Sequence, residues 1–415
     1  MLKEVLWSLL TAFLLVETLL LLLNGNNIRK NLNHNIFKEF IDDATFKKAT
    51  AYSLVRNQFA LLQLFYKGII LSIILGMNLI PTYLNCFQLT SQLWLQSCQL
   101  FLWNYLLSLC FLPLEYFDTF KIEKDFGFNR SGKKLWWLDQ LKGLIVGACI
   151  NIPVFSALLF LLEKFTHSWW ILGALGSLIL QITFLWLYPK IILPLFNKLT
   201  PLEEGSLKTR LNALAQKAGF AAAAIKVLDS SKRSTHSNAY CSSLGKIQNI
   251  VLFDTLLKNF SDEEIEAILA HEIGHYKHKH IWKTLLTSTI FALLGLKLCD
   301  LLLQNNWLAQ QFGLPHTTAL LLLITLSTFI NLFTYWFNPF LNYFSRKYEY
   351  EADAFANAQS PSCGHNLIQA LKKLYRENLS NLFPHPYYST FHYSHPTLIE
   401  RENAIHGKNC FSKNH

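Results

Sequence analysis

Seven uninterrupted apolar runs, each close to the ~20 residues that a helix needs to cross the hydrocarbon core of a bilayer, constrain this chain more than any other feature. They lie at roughly 5–23, 61–80, 93–112, 141–162, 169–188, 281–303 and 318–337. At 415 residues, 52% hydrophobic and 15% charged, the chain is long enough for about two or three soluble domains. A soluble core does not gather its apolar residues into so many runs of this length, although any single run could be a buried core helix. The expected fold class is mostly α, a polytopic membrane protein. The first run could instead be a cleaved leader, since Lys3 precedes it. Against that, Glu17 sits inside the run, and Asn24-Gly25-Asn26-Asn27 follows without a small-x-small cleavage site.

The connecting segments orient the spans. Arg29, Lys30, Lys38, Lys47, Lys48 and Arg56 lie between the first two, whereas 81–92 and 304–317 contain no lysine or arginine. Basic residues return in 113–140 and 189–280. This alternation predicts an outer N-terminus, with 189–280 and the tail from 338 in the cytosol. The membrane would be that of the endoplasmic reticulum in a eukaryote and the inner membrane in a bacterium. The formal net charge of +10 then faces anionic headgroups and calls for no nucleic-acid partner. Eight cysteines without a CxxC pair suggest neither a disulfide framework nor a cysteine-based metal site.

The spans divide the chain into 1–188, with five membrane helices; 189–280, the one long polar stretch between spans; 281–337, with two more helices; and 338–415. Within 189–280 the pattern predicts a helix ending near Gly219, strands at about 225–229 and around Asn249–Phe253, and a strong helix start. Ser261 with Glu264 forms a capping box, and Asp262 and Glu263 put negative charge in the first turn. That helix carries His271-Glu272-Ile273-Gly274-His275. Residues four apart share a helix face, so both imidazoles can reach one Zn²⁺ at about 2.0–2.1 Å. Glu272 beside them can take a proton from zinc-bound water. His278 and His280 read as a polar collar before the next span.

A catalytic zinc takes three protein ligands and keeps one position open. Asn338-Pro339 can start a helix after the last span, and along it lie Glu349, Glu351 and Asp353. Glu349 and Asp353 share a face, with Glu351 about 200° around from Glu349. Spacing favours Glu349 as third ligand and Asp353 as the partner fixing a histidine tautomer; a solvated acidic face would read the same way.

The chain resembles the zinc-dependent CAAX prenyl proteases, membrane gluzincin-type endopeptidases. The likeness is carried by Phe46-Lys47-Lys48-Ala49-Thr50-Ala51-Tyr52, Gly127-Phe128-Asn129, Asp139-Gln140-Leu141-Lys142, Pro194-Leu195-Phe196-Asn197-Lys198, His236-Ser237-Asn238-Ala239-Tyr240, the zinc helix, Ser345 to Asp353, and His392-Tyr393-Ser394-His395-Pro396 with Glu400-Arg401. It implies one zinc per chain, Glu349 as its third ligand, and seven membrane helices enclosing a water-filled chamber beside a small α+β metalloprotease domain. It further implies an edge strand at Asn238, Ala239 and Tyr240 that pairs with the substrate backbone. His395 and Arg401 match residues near the scissile peptide, suited to an oxyanion or a substrate carboxylate. The implied partners are a prenylated or other membrane-associated peptide and the lipid bilayer. A broad membrane-protein quality-control protease shares the chemistry, whereas a channel or transporter with a structural zinc would need four ligands and no Glu272. Cys241-Ser242-Ser243-Leu244-Gly245 and Gln248-Asn249 depart from the family pattern, which puts the accepted side chains in doubt and leaves the zinc chemistry intact.

Overall fold

The structure is a computed structural model. It describes residues 2–407 apart from 33–34, 88–91, 221–223, 245–246 and 305, with the backbone only for 2, 240–244, 247–249 and 361. The side chains of Tyr240 and of the Cys241–Asn249 stretch therefore lie outside the described residues.

Among the described residues seven helices are long and apolar enough to cross a membrane. Five precede the polar segment: α1 (Leu2–Lys30), α2 (Asp43–Gly76), α3 (Leu93–Phe117), α4 (Lys133–Lys164) and α5 (Trp169–Leu187). Their packing decides between a membrane bundle and a soluble core. Only 6% of the apolar window of α4 and of α5 is buried, and Leu15, Leu19, Ile69, Ile145 and Ile179 point outward, as a lipid solvent allows and water does not. The second span differs from its expected limits. Asp42 caps α2 by accepting from the Ala44 and Thr45 amides, so the helix begins well before the apolar run. It ends at Gly76, where Asn78 takes a left-handed φ of 53°. Hydropathy marks only the lipid-facing part of a helix, and here the first half carries Thr50, Ser53 and Asn57 into the protein interior.

The polar segment forms a four-stranded sheet, ordered β1 (Leu199–Pro201), β2 (Ala224–Leu228), β4 (Ile247–Phe253), β3 (Ala239–Leu244). β2 and β4 run parallel; β3 lies antiparallel to β4 with Ala239 opposite Leu252. β3 is thus an edge strand. The sheet is covered by α6 (Ser206–Lys217) and α7 (Asp262–Lys277), and α7 starts at the expected box: Glu264 N donates to Ser261 Oγ and Ser261 N to Glu264 Oε2 at 2.8 Å.

Two further membrane helices follow, α8 (His280–Gln304) and α9 (Ala319–Thr334), and the chain then returns to the sheet as α10 (Asn338–Gln359), α11 (Pro361–Glu377), α12 (Pro386–His392) and α13 (Leu398–Ile405). One apolar core unites Leu211, Phe220, Ile250, Ile268, Ala356, Leu367 and Leu398, so the soluble layer is built from chain on both sides of α8 and α9.

α7 and α10 cross at Gly274. A Cβ there would stand 2.9 Å from Ala352 Cα and 3.0 Å from its carbonyl oxygen, and backbone atoms cannot rotate away. Gly274→Ala is expected to force the helices apart, destabilising the protein by about 1–3 kcal/mol and lowering metal content at fixed free metal. A purified variant with unchanged melting temperature and full metal loading would show that the crossing tolerates the methyl group.

Candidate metal centre

Three side chains converge where α7 meets α10. His271 Nε2 and His275 Nε2 are 3.2 Å apart, Glu349 Oε2 is 3.4 Å from the first, and Glu349 Oε1 is 3.2 Å from the second. An ion bound tetrahedrally at about 2.0–2.1 Å needs ligand atoms about 3.3–3.5 Å apart; each imidazole stands close to that distance from the other and from one of the two Glu349 oxygens, and one donor atom from each of the three residues lies within 4.8 Å of the others. Glu349 is buried, and its Oε2 has no hydrogen-bond partner among the described residues. The nitrogens near it approach without hydrogen-bond alignment, leaving an oxygen lone pair free for a cation.

The ligands are held from behind by two carboxylates. Asp353 Oδ1 lies 2.8 Å from His271 Nδ1; Nδ1 therefore carries the proton and Nε2 presents its lone pair to the metal position. Arg401, buried on α13, grips both oxygens of Asp353, with Nε 2.8 Å from Oδ2. On the other side His275 Nδ1 is 2.9 Å from His280 Nδ1, and His280 Nε2 is 2.9 Å from Glu351 Oε2, which also accepts from Lys283 at 3.2 Å. His280 is buried and stacks on Tyr348. Neither His280 nor Glu351 stood out as part of the site in the sequence. The cause is Lys279, whose left-handed φ of 55° folds the chain back over His275; no periodicity reports such a turn.

The other expected residues surround a cavity of about 740 Å³ lined by Asn238, His395 and Arg401 at one end and by Asn24, Asn57 and Gln63 of the membrane helices at the other. A second cavity, of about 460 Å³, shares Gln63 and His392 and continues along Phe13, Glu17 and Lys67. Lys67 lines this interior space, over the Phe13 ring, and does not reach for the end of its span. His395 is exposed, with Nδ1 2.9 Å from Glu349 Oε2. Arg401 has Nη1 3.5 Å from the same oxygen and its remaining nitrogens committed to Asp353. Glu272 is half-buried beside His271, with no bond tying its carboxylate among the described residues. Asn238 is exposed, and its Oδ1 accepts from the Ala239 amide at 2.8 Å.

Two outcomes follow from this geometry. Glu349→Ala should empty the site, whereas Glu351→Ala, which only loosens His280, should retain most of its metal; equal loss by metal analysis would mean that α10 presents the other face. Burial alone would pull the His271 imidazole down, but the carboxylates of Asp353 and Glu349 beside it push it up to about 9. The metal must displace that proton, so apparent affinity should rise about tenfold per pH unit through neutral pH and flatten above about 9. Competition titrations at several pH values test this, and a flat profile between pH 6.5 and 8.5 would contradict it.

The chain matches two family descriptions end to end: CAAX prenyl protease N-terminal, five membrane helices, over residues 27–198, and peptidase family M48 over residues 201–409. It is 35% identical to CAAX prenyl protease 1 of Saccharomyces cerevisiae, covering 89% of this chain and 87% of that one. The CAAX prenyl protease 1 homolog of Homo sapiens is 31% identical over 71% of this chain and 70% of its own length. The crystal structure of S. mikatae Ste24p superposes with a TM-score of 0.89 at 31% identity, over 97% of this chain and 98% of that one. With a fold and a sequence that agree over nearly its whole length, the chain belongs to the CAAX prenyl protease family of membrane-embedded metallopeptidases.

Proposed function

We propose that the protein is a zinc endopeptidase that hydrolyses a peptide bond near the C-terminus of prenylated CAAX proteins, with its metal site on the cytosolic side. The observation that carries this reading is the cavity that reaches from His395 and Arg401, both beside Glu349, to Asn24, Asn57 and Gln63 of the membrane helices, a space suited to a peptide whose lipid stays among those helices. The relatives named for CAAX proteins supply the substrate class. The basic connecting segments support the orientation, and two imidazoles with one carboxylate suit Zn²⁺.

His271, His275 and Glu349 would hold the zinc, which would supply Lewis-acid polarisation of the scissile carbonyl and acidify a bound water to a pKa of about 7. The chain's own residues do the rest. Glu272 takes the proton of the attacking water and hands it to the leaving amine. The substrate lies extended along β3. Phe253 N donates to Asn238 O, so by strand alternation the backbone groups of Ala239, Cys241 and Ser243 face the open edge. The Asn238 side chain occupies the Ala239 amide until a substrate carbonyl takes it. His395, whose Nδ1 lies 2.9 Å from Glu349 Oε2, can donate through Nε2 to the developing oxyanion, and Arg401 Nη1 can reach the same region.

Glu272→Gln should retain metal and lose about 10²–10⁴-fold in kcat; normal hydrolysis by that variant would sink the mechanism. A farnesylated CAAX peptide should be cut at least about tenfold faster in kcat/KM than its unmodified twin, since burying two methylenes contributes about 1.6 kcal/mol. Equal rates, with Glu272→Gln as background, would turn the reading toward a broad membrane quality-control protease.

A further inference from the structure

We infer that Glu17, in the middle of the first membrane helix, is a positioning residue for His395, so that α1 is part of the catalytic apparatus. A carboxylate in a membrane span is costly to bury and calls for a specific partner. Glu17 is largely buried, and its Oε2 accepts from Tyr335 Oη at 2.7 Å and from His392 Nε2 at 3.1 Å. His392 ends α12. Three residues on, with no helix between, His395 Nδ1 sits 2.9 Å from Glu349 Oε2.

Glu17 is the deepest of three contacts. Asn27 Nδ2 donates to Phe383 O at 3.0 Å, and Asn24 Oδ1 accepts from His385 N at 3.1 Å. Positions 17, 24 and 27 share one helix face, so the segment from Phe383 to His392 runs antiparallel down α1 for about 15 Å. From the far side α10 holds the same segment: Asn342 Nδ2 donates to Phe391 O at 2.7 Å, and Arg346 Nη1 donates to Tyr393 O at 2.9 Å. Asn24 is itself fixed, donating to Asn57 Oδ1 of α2 at 2.9 Å. His395 is exposed; apart from its contact with Glu349 Oε2, its position follows from the segment that Glu17 holds at His392 and that Asn342 and Arg346 hold at Phe391 and Tyr393. Releasing His392 from Glu17 lets the four-residue link shift, and at the oxyanion even a small misplacement lowers the rate.

This inference rests on His395 acting at the scissile carbonyl. The test compares full-length Glu17→Leu, Glu17→Gln, His395→Ala and the Glu17→Leu/His395→Ala pair in detergent, reading kcat, KM, metal content and melting temperature with one peptide substrate. Glu17→Leu is expected to lower kcat about tenfold, with KM and metal content within about twofold. Glu17→Gln should recover most of the rate, because its amide oxygen can accept from both Tyr335 and His392. The double variant should be no slower than His395→Ala alone. Multiplying losses, or a loss that tracks metal content, would overturn the inference and make Glu17 a plain structural pin. Unimpaired Glu17→Leu beside an impaired His395→Ala would overturn it while leaving the role of His395 intact. A fully active His395→Ala would instead overturn that role and the inference with it. Should Glu17→Leu fail to fold, His392→Leu breaks the same contact from the other end and carries the same expectations.

Discussion

Everything at the metal centre depends on two helices touching backbone to backbone. His271 and His275 belong to α7 and Glu349 to α10, and their donor atoms come close enough for one ion because Gly274 lets Ala352 approach within van der Waals contact. Helices ordinarily pack with axes 8–10 Å apart, set by the side chains between them. At this crossing there is almost none: one partner lacks a Cβ and the other has only a methyl group. The close approach also places Asp353 against His271 and Glu351 against His280, so the groups that orient both imidazoles come from the helix that supplies the third ligand. Ligand geometry and helix packing are one constraint.

What could be read from the chain followed from local rules. The box at Ser261, the i,i+4 histidines and the shared face of Glu349 and Asp353 each depend on helical spacing alone, and each occupies its expected place. Membrane spans were legible because lipid leaves no alternative to apolar helices, although the limits of α2 were not, since its first half is polar helix turned inward. The parts that escaped depend on contacts between distant segments. Arg401 was assigned to the substrate by resemblance, yet its guanidinium is largely taken up by Asp353, 48 residues away. His280 needed a left-handed residue at 279, and Glu17 needed a partner 375 positions later. Helical periodicity carries no information about such pairs.

The interior of the membrane region shows the same economy of polar groups. Glu17, Asn24 and Asn57 would each be a liability facing lipid; here they face one another, the C-terminal segment or the cavities. An unpaired strand edge is a similar liability in most proteins because it recruits other strands indiscriminately. β3 keeps its edge open beside the cavity, where only a locally unfolded chain can lie along it.

The chain order of the site has a consequence for biogenesis. His395 and Arg401 follow all seven membrane helices, and Arg401 supplies the cation that Asp353 needs once buried. A nascent chain that has already delivered its two histidines to the membrane therefore still lacks the ion pair that steadies the first of them. The site can be completed only after the last helix has been inserted and the polar layer around the sheet has closed over it. A protease made among other unfinished membrane proteins is thereby kept idle while it is itself unfinished.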